Sequence, residues 1–145
     1  MSADIYYTDA TELARRIRAK ELSPVEVLEV HLRRIEAVNP KINALVSIVD
    51  DARRHAKEAE AAVMRGDALG PLHGVPFTVK DCLDTMGVRT THGSRLFQDH
   101  VPEADAPVVA RLKEAGGVLI AKTNMPEFAF GGETDNEVFG RTQNP

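Results

Sequence analysis

The chain has 145 residues, of which 43% are hydrophobic and 28% are charged, and its formal net charge is −4. This length and composition suit one globular domain with a hydrophobic core. The mild acidity argues against nucleic-acid binding, which favours a clustered basic surface, and no apolar run approaches the roughly 20 residues that a membrane span needs.

The N-terminus and the cysteine content predict a cytoplasmic protein without a membrane anchor. Residues 1–5 lack the basic and apolar regions of a secretory signal peptide. Cys82 is the single cysteine, so no internal disulfide can form, which fits a reducing compartment.

Residues 1–69 are predicted to be mainly helical. Asp9 can begin a capping box for a helix over 9–21. A second helix begins at Ser23-Pro24, because proline suits the first helical position. We expect Asn39-Pro40 to end that helix, since the residue before proline is pushed out of the helical region.

A short link and a third helix follow. Residues 42–49 are rich in β-branched side chains and predict a short strand or an extended link. Residues 50–65 predict a helix that ends near Gly66, and its many charges indicate a solvated face.

The second half of the chain predicts a parallel crossover. Residues 75–80 and 117–122 are apolar strands, separated by a long ordered loop over 81–104 and a helix that Asp105 can cap, with Pro107 in its first turn and Gly116 at its end. The buried face of that helix is predicted to consist of Val108, Val109 and Leu112. The predicted class is α/β, with N-terminal helices packed on a partly parallel, mixed sheet.

Lys80 lies at the carboxyl end of the first strand, where ligands bind in parallel sheets. Strand alternation places it on the face opposite Val79. It is either an exposed strand-end charge or a lysine desolvated enough to accept a proton at neutral pH. Asp81 and Asp84 favour its charged form, and Lys122 occupies an equivalent strand end, so position alone does not choose between the two lysines.

Other reactive side chains give weaker signals. Cys82 is either a thiolate stabilised by Lys80 or, more commonly for a free cysteine, a small buried hydrophobic residue. The histidines lack metal-ligand spacing, and Ser94 lacks the flanking glycines of a nucleophile elbow. We therefore expect no metal site, no Ser-His-Asp triad and no cofactor.

Several ordered motifs resemble the amidase signature family of hydrolases. They are Gly70-Pro71-Leu72-His73-Gly74-Val75-Pro76-Phe77-Thr78-Val79-Lys80-Asp81, Thr91-His92-Gly93-Ser94, the helix from Asp105 to Leu112, Gly116 to Phe128 with its Lys122-Thr123-Asn124, and Phe139 to Pro145. The earlier segments Ser23 to Glu26 and Asn39 to Ala44 also resemble the opening of the family, so the resemblance covers the whole chain.

The resemblance implies hydrolysis of a carboxylic amide by a Ser-cis-Ser-Lys triad. One serine attacks the carbonyl, a second serine held by a cis peptide relays protons, and a lysine is the base. Lys80 matches that lysine, whereas Lys122 belongs to a structural Lys-Thr-Asn motif. The resemblance also implies that substrate is bound by the loop residues Ala129, Phe130, Gly131 and Gly132.

One departure from the family is large. In the family, a loop rich in glycine and serine follows the Asn-Pro motif and supplies both serines and the oxyanion hole. The serines of this chain are Ser2, Ser23, Ser47 and Ser94, and none lies in such a loop. We therefore expect 1–145 to be a single incomplete domain, with 1–69 its helical part and 70–145 the start of an amidase core, and to be inactive alone.

Two alternatives remain open. The parent protein could be the A subunit of a glutamyl-tRNA amidotransferase, although residues 131–134 resemble a general amidase more closely. The chain could instead be a non-catalytic binding module. The expected partner is a small-molecule amide, with no nucleic acid and no membrane, and the full-length protein could form a homo-oligomer.

Overall fold

The computed structural model describes residues 5–145, which form helices and a small sheet in the predicted alternation. The helices are α1 (Ala10–Arg18), α2 (Pro24–Ile42), α3 (Ala52–Arg65) and α4 (Pro107–Glu114), and the strands are β1 (Leu45–Ile48), β2 (Pro76–Lys80) and β3 (Val118–Thr123). Two short 3₁₀ turns cover Arg95–Phe97 and Glu127–Ala129.

The sheet is mixed, with β3 between its two neighbours in the order β1-β3-β2. β1 runs antiparallel to β3, with Ser47 opposite Lys122. β2 runs parallel to β3, since Val118 N donates to Val75 O and, further along both strands, Asp81 N donates to Thr123 O. The α/β class and the parallel crossover predicted from the sequence are confirmed.

Helix α1 begins as its cap predicts. The Asp9 carboxylate accepts a hydrogen bond from Glu12 N at 2.9 Å, and the helix starts at Ala10. It ends at Arg18, three residues before the predicted end, and Lys20 has a positive φ of 59°. Positive φ is incompatible with a continuing right-handed helix.

The prediction that Asn39-Pro40 ends the second helix was wrong, because α2 continues to Ile42 through Pro40. The Asn39 side chain explains why this last turn is stable. Its Oδ1 accepts hydrogen bonds from Ala44 N and Leu45 N, and its Nδ2 donates to Leu45 O. These bonds stabilise the turn that proline disfavours. The helix ends at Ile42, and Asn43, the next residue, has a φ of 52°.

Helix α4 buries fewer residues than predicted. Val109 is fully buried and Leu112 is half-buried, but Val108 is 47% exposed. Because adjacent helical residues point about 100° apart, a helix of eight residues does not bury both valines against one surface. The assignment of Val108 to the buried face was wrong.

The contacts between Cα atoms divide the chain into two compact units. The first consists of the described part of Met1–Glu36, Asp50–Phe77 and Arg111–Ile120, and its core includes Leu13, Ile17, Val27, Val63 and Val75. The second consists of Ala37–Val49, Thr78–Ala110 and Ala121–Pro145. Every predicted site residue lies in the second unit.

Candidate active site

Asp81 holds the residues that follow β2. Its side chain is fully buried, and Oδ2 accepts hydrogen bonds from Thr91 N at 3.1 Å and from Thr91 Oγ1 at 2.5 Å. Its backbone N–H donates to Thr123 O, and its carbonyl accepts from His92 N. The predicted ordered loop over 81–104 is therefore joined to both the end of β3 and the end of β2 by one residue.

Lys80 lies at the last position of β2, with an exposed side chain beside the buried Val79. This agrees with the predicted alternation of faces. Within residues 5–145 its ammonium group has no hydrogen bond and no ion pair. These residues do not supply the desolvation that a lysine base needs, but they leave its nitrogen free to meet another group.

Lys122 is the opposite case, because its side chain is fully buried. Its Nζ donates to Leu83 O at 2.5 Å, to Thr85 Oγ1 at 3.0 Å and to Thr90 Oγ1 at 2.9 Å. Both hydroxyls donate their own hydrogens to carbonyls, Thr85 to Leu83 O and Thr90 to Val88 O.

The directions of these hydrogen bonds show which form of Lys122 the site accommodates. Each threonine oxygen has its own hydrogen directed elsewhere, so it presents only lone pairs to Nζ. Three acceptors around one nitrogen require three N–H donors, which only the ammonium form has. Burial lowers the pKa of Lys122, and the charges of Asp81 and Asp84 oppose that shift. In this ammonium form Lys122 has no lone pair with which to accept a proton.

The predicted substrate loop has an unusual backbone. Phe128 and Ala129 have positive φ values of 48° and 62°, and Phe130 is 92% exposed. Positive φ in two consecutive residues other than glycine costs roughly 1–2 kcal/mol each. The loop continues through Gly131 and Gly132, which are also exposed.

Hydrogen bonds connect this loop, through His92, to Asp81, the residue that follows Lys80. Phe128 N donates to His92 O at 2.8 Å, and Ser94 Oγ donates to Glu127 Oε1 at 2.6 Å. His92 N in turn donates to Asp81 O. The sequence did not predict that Ser94 would have this role, since a serine-glutamate pair 33 residues apart has no local signature.

Aromatic rings pack around the same connection. The His92 ring lies edge-on to Phe97 at 5.2 Å and is stacked 6.4 Å from Phe128, measured between centroids. Phe97 also contacts the rings of Phe128 and His100, at 6.1 and 5.8 Å. Edge-on and offset contacts at these distances are favourable between rings, so the loop is held by apolar contacts as well as by hydrogen bonds.

Gly132 also lines an open, polar cavity of about 600 Å³ in the second unit. The remaining lining residues are Glu133, Thr134, Arg141, Thr142, Gln143 and Asn144. Arg141 and Glu133 form an ion pair across 2.5 Å. One of the four predicted pocket residues therefore borders a cavity large enough for a small molecule.

Asparagine and threonine side chains hold the segment that follows the substrate loop. Asn124 Nδ2 donates to Gly140 O and Thr142 Oγ1, and its Oδ1 accepts from Asn136 Nδ2. Thr142 Oγ1 donates to Asn43 O, and Asn43 Nδ2 donates to Phe139 O. This network was not predicted, because its members are separated by up to 99 residues.

The remaining candidates have no evident chemistry. Cys82 is a half-buried free thiol rather than a fully buried hydrophobic residue. Among residues 5–145, no group of three histidine, cysteine, aspartate or glutamate side chains is placed to hold a metal ion. In the same range no helix is long and apolar enough to cross a membrane.

Comparison with known proteins identifies the family. The model of the family described as Amidase matches residues 26–145. The chain is 45% identical over 143 residues to the A subunit of a glutamyl-tRNA(Gln) amidotransferase from Carboxydothermus hydrogenoformans, and 42% identical over 143 residues to an acylamidase from Rhodococcus erythropolis. Each alignment covers 98% of this chain and 30% of the relative.

A solved structure shows the same fold. A structure of fatty acid amide hydrolase superposes with a TM-score of 0.92 at 27% identity, over 99% of this chain and 26% of that one. The chain belongs to the amidase signature family, and it spans about 30% of the length of the curated relatives that it matches.

Proposed function

We propose that the protein to which this chain belongs hydrolyses a carboxylic amide, and that Lys80 is its base. The observation that carries the proposal is the contrast between the two strand-end lysines. Lys122 uses all three N–H donors on oxygens of Leu83, Thr85 and Thr90, whereas the nitrogen of Lys80 is exposed and unpaired among the described residues. A general base needs a nitrogen that can reach a reacting group.

The proposed reaction follows the chemistry of the family. The neutral amine of Lys80 accepts a proton from a relay serine, which in turn deprotonates the attacking serine. The acyl group passes to that serine, and the proton returns to the departing nitrogen of the amide. Water then hydrolyses the acyl-enzyme by the same proton transfers. By family resemblance, the two serines come from a loop that follows Asn144-Pro145.

We further propose that Ala129, Phe130, Gly131 and Gly132 contact the acyl part of the substrate. The exposed ring of Phe130 offers apolar surface, and the glycines allow close approach of the backbone. The hydrogen bonds from this loop to His92, and from His92 to Asp81, support a fixed position relative to Lys80.

The test is amide hydrolysis by the complete gene product, measured as release of ammonia or amine from simple alkyl and aryl amides. Lys80→Met should lower kcat by at least about 10³-fold, because it removes the proton acceptor. Lys57→Met, which removes an exposed lysine on α3, is the matched control and should leave kcat unchanged. Turnover that survives in Lys80→Met would overturn the assignment of the base. Turnover by residues 1–145 alone, which we expect to be inactive, would overturn the proposal that the two serines come from a later loop.

A second function is favoured by the 45% identity to the A subunit of an amidotransferase. In that case the amide would be glutamine, and the ammonia would pass to a partner protein. The discriminating experiment compares glutamine with alkyl and aryl amides as substrates and tests for co-purification of a B-type subunit. Preference for glutamine together with a bound B-type subunit supports this candidate, and preference for other amides by the unaccompanied protein excludes it.

A further inference from the structure

The residues after β2 form a tight turn that begins at Lys80. Leu83 N donates a hydrogen bond to Lys80 O at 2.9 Å, which closes a four-residue turn. Residues 80 and 83 of such a turn are held close together, so a force that fixes Leu83 also fixes the backbone of Lys80. The base of the proposed reaction is thus the first residue of a turn.

The other end of this turn is held by Lys122. The carbonyl of Leu83 accepts from Lys122 Nζ at 2.5 Å and from Thr85 Oγ1 at 3.0 Å. Leu83 is therefore bonded to one lysine through its N–H and to the other through its carbonyl. The bond to the ammonium is charge-assisted and partly buried, and charge assistance places it among the stronger hydrogen bonds.

Lys122 is itself fixed by its place in the central strand of the sheet and by two buried threonines. It lies on β3, in the middle of the sheet, where Ser47 of β1 pairs with it. Thr85 and Thr90, which accept its other two hydrogen bonds, are fully buried. The ammonium thus joins the rigid strand to three points of the loop that follows Lys80.

We propose that Lys122 is a positioning residue, which clamps the turn over residues 80–83 and so fixes where Lys80 presents its nitrogen. This inference rests on the proposed function of Lys80. It gives the two strand-end lysines complementary roles, one free to transfer protons and one holding the first in place. A displacement of about 1 Å at a reacting group costs on the order of 100-fold in rate, so the clamp should matter for turnover.

The structural part of the test is hydrogen–deuterium exchange, followed by mass spectrometry on the complete gene product. In Lys122→Met, peptides that cover residues 79–92 should exchange at least about ten-fold faster, because three acceptors, two of them buried, lose their donor. Peptides from α3 should exchange as in the wild type, and Lys57→Met should leave both regions unchanged. If hydrogen–deuterium exchange over residues 79–92 is unchanged in Lys122→Met, the proposal that Lys122 holds this turn is wrong.

The kinetic part separates positioning from general stability. Lys122→Met should lower kcat about 10- to 100-fold and change KM less than about two-fold, because the misplaced base acts on the chemical step. Thr90→Val removes one acceptor at constant volume and should lower kcat, whereas Thr90→Ser keeps the acceptor and should retain it. The reverse order of these two variants would show that packing, and not the hydrogen bond, is what matters.

If Lys122→Met does not fold, the two variants at Thr90 test the same proposal. Hydrogen–deuterium exchange over residues 79–92 should then rise in Thr90→Val and stay low in Thr90→Ser. Failure of the proposed function is recognised separately. If Lys80→Met retains turnover while Lys122→Met loosens residues 79–92, the clamp exists but does not serve the reaction, and the inference is wrong as a statement about catalysis.

Discussion

Two lysines at neighbouring strand ends have opposite environments, and the difference comes from single side chains. Thr85 and Thr90 each direct a hydroxyl hydrogen to a carbonyl and a lone pair to Lys122. No such oxygens surround Lys80 among the described residues. The chemical role that we assign to each lysine therefore depends on two threonines that carry no catalytic signal themselves.

Thr91 is expected to stabilise the buried carboxylate of Asp81. Thr91→Val removes the hydroxyl that donates to Oδ2, while Oδ1 is already buried without a hydrogen bond among the described residues. The free energy of unfolding should fall by about 2–3 kcal/mol, as for other bonds to charged groups. Thr91→Ser keeps the hydroxyl and should cost less than about 1 kcal/mol. Urea unfolding of both variants measures this, and equal losses would contradict the prediction.

Gly93 brings the loop over 81–104 close to the substrate loop. A Cβ at Gly93 would lie 3.2 Å from Met125 O and from the Cα of Glu127, and φ there is 67°. Gly87 also has a positive φ, of 72°, but has open space around it. Gly87→Ala should cost about 1–2 kcal/mol from the backbone alone.

Gly93→Ala should cost more than Gly87→Ala, because backbone at residues 125–127 must also move. It should lower kcat as well, since the substrate loop shifts with Glu127. The measurement is urea unfolding and kcat of both variants in parallel. If the two alanine variants are equally stable and equally active, the short distance between Gly93 and the backbone of residues 125–127 matters neither for stability nor for activity.

At the scale of elements, the last turn of α2 shows how one side chain overrides a local rule. Proline disfavours helix in the residue before it, yet three hydrogen bonds from the Asn39 side chain hold the chain from Asn39 to Leu45. The same turn leads into β1, so its geometry determines where β1 meets β3.

Asn39→Ala should therefore destabilise the protein by about 2–3 kcal/mol, the sum expected for three ordinary hydrogen bonds. Asn39→Asp should have an intermediate effect, because it keeps an oxygen that can accept from Ala44 N and Leu45 N but loses the donor to Leu45 O and adds negative charge at a helix C-terminus. Thermal or urea unfolding ranks the three proteins. An aspartate variant less stable than the alanine variant would contradict this explanation of the turn.

At the scale of the whole molecule, the buried ammonium of Lys122 should make stability depend on pH. Burial lowers the pKa of Lys122 in the folded protein below that of an unperturbed lysine, which represents the unfolded chain. Between the two values the unfolded chain binds more protons, so stability rises with pH over that window. Below the folded pKa, the full cost of the buried charge is present.

The expected result is that the free energy of unfolding of the wild type increases, relative to Lys122→Met, as pH rises from neutral toward about 10.4, the pKa of an unperturbed lysine. Urea titrations at several pH values measure the difference. The groups whose charges act on Lys122 are Asp81, Asp84, Cys82 and Asp105. Both proteins should carry Cys82→Ser, which removes the thiol from among these groups. If the free energy of unfolding of the wild type falls relative to Lys122→Met as pH rises, the assignment of a pKa lowered by burial is wrong.

The sequence by itself determined the order and type of the elements and, for β2, the face that Lys80 presents. Caps and hydrophobic periodicity located the helices, alternation placed Lys80 opposite Val79, and the ordered motifs indicated the family. Only the tertiary structure decided that α2 passes through Pro40 and that Lys122 has no free donor. Local patterns depend on torsion angles and on the side chains of near neighbours, whereas the partners of a buried polar group come from distant parts of the chain. For Lys122 those partners are 32 to 39 residues away, which no local pattern can report.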